Sequence, residues 1–166
     1  SSFILNIFRF ILLVCLQVLI FNNINLLGYL NPFVYVLFII LFPVNSNKSL
    51  LLLMSFLLGI TLDAFSDTGG IHATACLIIA YLRPTFFRFS FGVSYEYQTI
   101  KVSEKVNSER ISFILLMVFV HQLIVYTLEL SRYGMFLDLI LRIIFNTIFT
   151  SIICILSLYL IKPSRR

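Results

Sequence analysis

Tryptophan is absent from this 166-residue chain, and charge is scarce: 11% of its residues are Asp, Glu, Lys or Arg. A soluble domain carries about 25% charged residues. So thin a polar complement cannot cover a surface against water. The rest is 60% hydrophobic, with a mean hydropathy of +1.04. Lipid must therefore be the solvent, and the chain reads as an integral membrane protein. Eight Tyr and eighteen Phe take over the interfacial role that Trp usually fills.

Cysteine is equally sparse. Cys15, Cys76 and Cys154 each sit in an apolar run, with no Cys or His at metal-ligand spacing. They read as small buried hydrophobes, which excludes a disulfide framework and a metal site. No HExxH, GxSxG or phosphate-binding glycine loop occurs. Ser66 and His72 are close in sequence, but nothing fixes them as nucleophile and base. Neither catalytic residues nor a cofactor are expected. The net charge of +5, in a chain this apolar, reports membrane orientation and not nucleic-acid binding.

A spanning helix needs about 20 apolar residues. Six candidates follow, over 3–21, 32–43, 49–63, 71–89, 111–130 and 135–161. Arg9 lies near the start of the first, where it can snorkel to the headgroups. Polar Asn22, Asn23 and Asn25 follow that run in place of a small-residue cleavage site, so it reads as an uncleaved span. The chain begins at Ser1, and an initiator Met is expected upstream. The second and third runs are short. They read either as two short helices joined by a turn or as a re-entrant hairpin, and two spans are preferred. Pro84 is expected to bend or end the fourth run. The most polar segment, 90–110, reads as a loop on the cytoplasmic side. Six spans place both termini on one side. Arg9, Lys48, Arg83, Arg88, Lys101, Lys105, Arg110, Lys162, Arg165 and Arg166 then lie at or near the inner face, which is 10 of the 12 Lys and Arg. That bias supports cytoplasmic termini.

Ionisable groups at membrane depth usually face the bundle interior and find partners. Ser55, Gly59 and Asp63 repeat at i, i+4 on one helical face, whose small residues admit a close neighbour. Asp67 and Thr68 precede Gly69 and Gly70, which permit a sharp turn. Capping and turn formation account for much of this stretch; a polar cavity or partner site is the functional alternative. Asp138, Arg142, Asn146 and Thr150 repeat every four residues, as interhelical glue or as the lining of a cavity. Gln122, Tyr126 and Glu129 form a third stripe beside His121, which reads as a hydrogen-bonded packing residue. The expectation is that Asp63, Glu129, Asp138 and Arg142 join in one buried network at the outer end, with Asn146 continuing it.

The wording from Leu57 to Pro84, LLGITLDAFSDTGGIHATACLIIAYLRP, resembles the central motif of the MreD family of rod-shape-determining membrane proteins, in its Bacteroidetes-type form. The motif is G-x-x-x-D, a Gly-rich turn and a small-residue helix start. Gly59, Asp63, Gly69 and Gly70 hold those positions, with Asp67 and His72 among them. About thirty residues carry the specific wording; length and span order match throughout. The resemblance implies an all-α, polytopic six-helix bundle similar to the substrate-binding subunits of energy-coupling-factor transporters. It implies a non-enzymatic scaffold of the elongation machinery, in the bacterial inner membrane. The expected direct partner is the single-span protein MreC; MreB, RodA and a penicillin-binding transpeptidase belong to the wider complex. A vitamin or small-molecule transporter subunit is the alternative. Such subunits dock through Ala-x-x-x-Ala motifs, a spacing that Ala73, Ala75 and Ala80 do not make.

Overall fold

The computed structural model describes residues 2–92, 107–129 and 136–161. Among these the chain is helical, with no strand. Helix α1 covers Ser2–Leu19 and runs on through a 3-10 turn at Phe21–Asn23. Helix α2 is Val36–Leu41, α3 is Lys48–Ser66 and α4 is Ile71–Phe91. Helix α5 is Ser108–Leu128 and α6 is Phe136–Ile161. Four of them are long and apolar enough to cross a membrane: α1 with its extension, α3, α5 and α6. α4 is as long as α5, but His72, Arg83 and Arg88 interrupt its apolar run. Most of the expected loop 90–110 lies outside the described residues, as do Arg132, Lys162, Arg165 and Arg166.

Consecutive long helices pack side by side, α3 on α4, α4 on α5 and α5 on α6, with α1 against α3. α2 sits inside this arc and touches α1, α4 and α5. Its position corrects the expectation of a helical span over 32–43. Only six residues are helical there, about 9 Å at 1.5 Å per residue. Residues 31–33 have no regular structure, and 34–35 form a turn that leads into the helix. Every residue from Phe33 to Ile40 is buried. The run is apolar because it is protein core, and a helix that is apolar all round belongs inside. Non-helical backbone at membrane depth survives only where protein surrounds it.

The far end of this segment is fixed by α4. Arg83 is buried and donates through Nη2 to the carbonyls of Ile40, at 3.3 Å, and of Phe42. These are C-terminal carbonyls of α2, which a cation satisfies and the helix dipole favours. The guanidinium also lies 4.9 Å from the centre of the Phe87 ring, which stacks on Phe113 at 4.2 Å. Pro84 does not end α4; the helix continues through it to Phe91.

The α3–α4 contact depends on Gly59. A Cβ built there would stand 2.3 Å from Ala73 Cα and 2.7 Å from the His72 carbonyl oxygen. Both are backbone atoms of α4, so the helices themselves would have to part. Gly59→Ala is expected to lower stability by about 1–3 kcal/mol, the usual range for overpacking. The measurement is the unfolding midpoint in detergent; an unchanged midpoint would disprove so close an approach.

Candidate functional site

Two short polar structures hold the bundle together, and His72 belongs to both. The first is the turn between α3 and α4. Asp67 ends α3 in the left-handed conformation at φ +52°, and Gly69 and Gly70 follow at +64° and +99°. A chain turning through three positive φ values leaves the first N–H groups of α4 without partners. Asp63, one turn before the end of α3, supplies them. Its Oδ1 accepts from the His72 N–H at 3.0 Å and its Oδ2 from the Ala73 N–H at 2.9 Å. The Thr68 hydroxyl donates to the same carboxylate. Asp63 thus caps α4 from the preceding helix, and its charge faces the positive end of the α4 dipole. The i, i+4 step from Gly59 to Asp63 carries the arrangement: the glycine admits α4 and the carboxylate bonds its first turn.

The second structure surrounds the Tyr35 hydroxyl. Tyr35 Oη lies 2.7 Å from His72 Nδ1 and 2.8 Å from His121 Nε2. The chain has only two histidines, and both meet on one tyrosine, all three side chains buried. A hydroxyl has one proton, so Tyr35 donates to one imidazole and accepts from the other. His121 Nδ1 is buried without a partner among the described residues. If His121 donates through Nε2, Nδ1 is a bare lone pair; the opposite tautomer strands an N–H. Orphaned buried N–H groups are the rarer of the two. The favoured order is therefore His121 Nε2–H to Tyr35, and Tyr35 O–H to His72 Nδ1. The Phe33 ring packs edge-on to both imidazoles, with centroids 5.2 and 5.8 Å away.

Side chains from α1, α5 and α6 complete this interior. Gln17 donates to the Pro32 carbonyl at 3.0 Å and accepts from the Val34 N–H at 2.9 Å. Asn146 accepts from the Asn31 N–H at 2.7 Å and donates to the Tyr29 carbonyl at 2.9 Å. Thr150 Oγ1 accepts from the Phe33 N–H at 3.4 Å and from Gln122 Nε2 at 3.1 Å. The backbone from Tyr29 to Val34 is thus held by three helix-borne residues, Gln17, Asn146 and Thr150, and Gln122 braces the last of them.

The expected single network of Asp63, Glu129, Asp138 and Arg142 is not what forms around Asp63, whose partners are Thr68 and the first turn of α4. Asp138 and Arg142 form a separate group, paired at 2.8 Å. Arg142 lies 4.4 Å from the centre of the Tyr29 ring. The hydroxyl of Tyr29 bonds Asp138, and that carboxylate holds its pKa above the ordinary value. Glu129 follows the last residue of α5, and its backbone N–H donates to the Val125 and Thr127 carbonyls. Asn146 does continue the Asp138–Arg142 stripe, as glue to the linker before α2. Asp67, Gly69 and Gly70 shape the turn, where the Asp67 N–H donates to the Asp63 carbonyl. Tyr35 and Gln17 were missed as partners: one sits in a run that reads as lipid-facing, the other as a lone polar interruption. A tyrosine and a glutamine inside apolar runs, in a chain with two internal histidines, were the available signal.

No protein family, curated protein or solved structure matches the chain.

Tyr35→Phe removes the proton shared between two buried imidazoles, and a loss of about 1–3 kcal/mol is expected, the cost of stranding a buried polar group. Combined with His121→Phe, the two effects should fall short of their sum by more than about 0.5 kcal/mol. Additive losses in denaturant melts would show that the residues do not share a bond. Asp63→Ala should lose about 1–2 kcal/mol, the range for a helix cap. Asp63→Asn should lose less, since its amide oxygen still accepts one N–H. Equal losses for the two variants would remove the capping role.

Proposed function

We propose that this protein is a membrane scaffold of the MreD type, which binds the single-span protein MreC and helps to position lateral peptidoglycan synthesis in the inner membrane. The sequence likeness over Leu57 to Pro84 is its starting point. One structural observation supports it: the interior polar groups hold the chain's own backbone. Gln17, Asn146 and Thr150 bond the segment Tyr29–Val34, and Tyr35 takes both histidines. A substrate-binding subunit needs convergent polar groups turned toward a ligand. Here the corresponding groups fix a rigid shape, and α1 and α6 carry exposed apolar side chains such as Phe8, Ile11, Ile148 and Ile152 that suit helix packing. The kinship with energy-coupling-factor subunits belongs to the same proposal, at the level of the bundle.

In this reading the turn at Asp63–Gly70 keeps α3 and α4 in register, and function resides in the outer helix faces. MreB, RodA and the transpeptidase join through the wider complex. The test is purification of the tagged chain in detergent from its own cells. Recovery of MreC in equal amount is the expected result. Recovery of an ATPase module together with a bound vitamin would establish the transporter alternative instead.

A further inference from the structure

α1 is the helix least engaged with the rest of the chain. Only 11% of its apolar window is buried, against 33%, 44% and 39% for α3, α5 and α6. It nevertheless carries a guanidinium well inside its length. Asn22 at the end of α1 donates to Ser66 at the end of α3, at 3.2 Å, so these two ends are level. Thirteen residues separate Asn22 from Arg9, which places Arg9 about 20 Å below that level at 1.5 Å per residue. Eighteen residues separate Ser66 from Lys48, about 27 Å on the same scale. Arg9 therefore stands about 7 Å deeper in the bundle than Lys48, level with the apolar Leu53. Tilting α1 would bring it closer still to the middle.

Arg9 is half-buried. Among the described residues it has no ion-pair or hydrogen-bond partner, and neither does the side chain of Asn6, one turn earlier. Two other guanidiniums inside the bundle are held: Arg83 by carbonyls and Phe87, Arg142 by Asp138 and Tyr29. On the helical wheel Arg9 lies 100° from Phe10, whose ring packs edge-on against Phe38 of α2 at 5.5 Å. Arg9 is thus on the flank of the face that docks α1, at the border between protein and lipid. A charge at that border either snorkels to the headgroups or is paired, as ionisable groups within spans usually are.

We propose that Arg9 is the docking point for a transmembrane helix of another protein that carries an Asp or Glu at the same depth, and that Asn6 joins the contact. Charge complementarity selects this occupant: an apolar helix face with one unpaired cation at depth is completed by an apolar helix with one carboxylate. A bidentate guanidinium–carboxylate pair in a low dielectric fixes both depth and rotation of the incoming helix. The inference deepens the scaffold reading and rests on it, with the single-span partner supplying the helix.

The experiment is co-purification of this chain with that partner in detergent, with elution profile and unfolding midpoint confirming that each variant is folded. Arg9→Ala and Arg9→Glu should reduce recovery of the partner at least tenfold, while Arg9→Lys retains most of it. Replacing the partner's intramembrane carboxylate by Lys should restore binding to Arg9→Glu. Changing that carboxylate to Asn should weaken binding to the unaltered chain, which settles the matter even if an Arg9 variant fails to fold. Undiminished recovery with Arg9→Ala overturns the docking point and leaves the scaffold reading standing. A partner span without Asp or Glu overturns it too, as does loss of affinity for phosphatidylglycerol vesicles with partner recovery intact. If the unaltered chain recovers no single-span partner, the scaffold reading fails and this inference falls with it.

Discussion

A length of non-helical backbone crosses the inside of this bundle, and its unpaired amides govern the design. In a bilayer there is no water to satisfy an exposed N–H or C=O, and each one left bare costs several kcal/mol. The Tyr29 and Pro32 carbonyls and the Asn31, Phe33 and Val34 amides are met by side chains from α1 and α6, and the neighbouring backbone meets others. The carbonyls at the end of α2 are met by Arg83 of α4. Each surrounding element therefore contributes at least one polar residue that faces inward. The positions of Gln17, Asn146 and Thr150 in otherwise apolar helices follow from that single requirement.

The same requirement explains how the two polar structures are joined. His72 donates its backbone N–H to Asp63 and accepts a side-chain bond from Tyr35. The cap that starts α4 and the core hydroxyl that gathers the histidines thus share one residue. The start of α4 is consequently anchored both to α3, through Asp63 and Gly59, and to the buried segment, through Tyr35. Rigid internal anchoring of this kind leaves the outer helix faces unchanged in shape, which suits a protein whose proposed work is to be packed against.

Much of the architecture was legible from residues alone. The Gly59–Asp63 step and the Gly69–Gly70 turn mark the α3–α4 junction in the sequence, and the junction forms there. The stripe of Asp138, Arg142 and Asn146 likewise lies on one face of α6 and acts as glue. The second crossing was misread because hydropathy cannot separate a lipid-facing helix from a segment buried in protein; both are runs of Val, Ile, Leu and Phe. The shared network around Asp63 was misread because helical spacing gives the face of a residue but not the level or azimuth of its neighbours.

By itself the sequence determined that lipid is the solvent, that helices are the building blocks, and where the sharp turn between α3 and α4 falls. Those properties are local: they follow from composition, from 3.6-residue periodicity, and from glycine's freedom at positive φ. Only the tertiary structure decided which polar groups meet. Tyr35, His72 and His121 are brought together from three separate elements, and Gln17 reaches a backbone fifteen residues on. It also decided the depth of Arg9, which is measurable only when the ends of α1 and α3 are seen to be level.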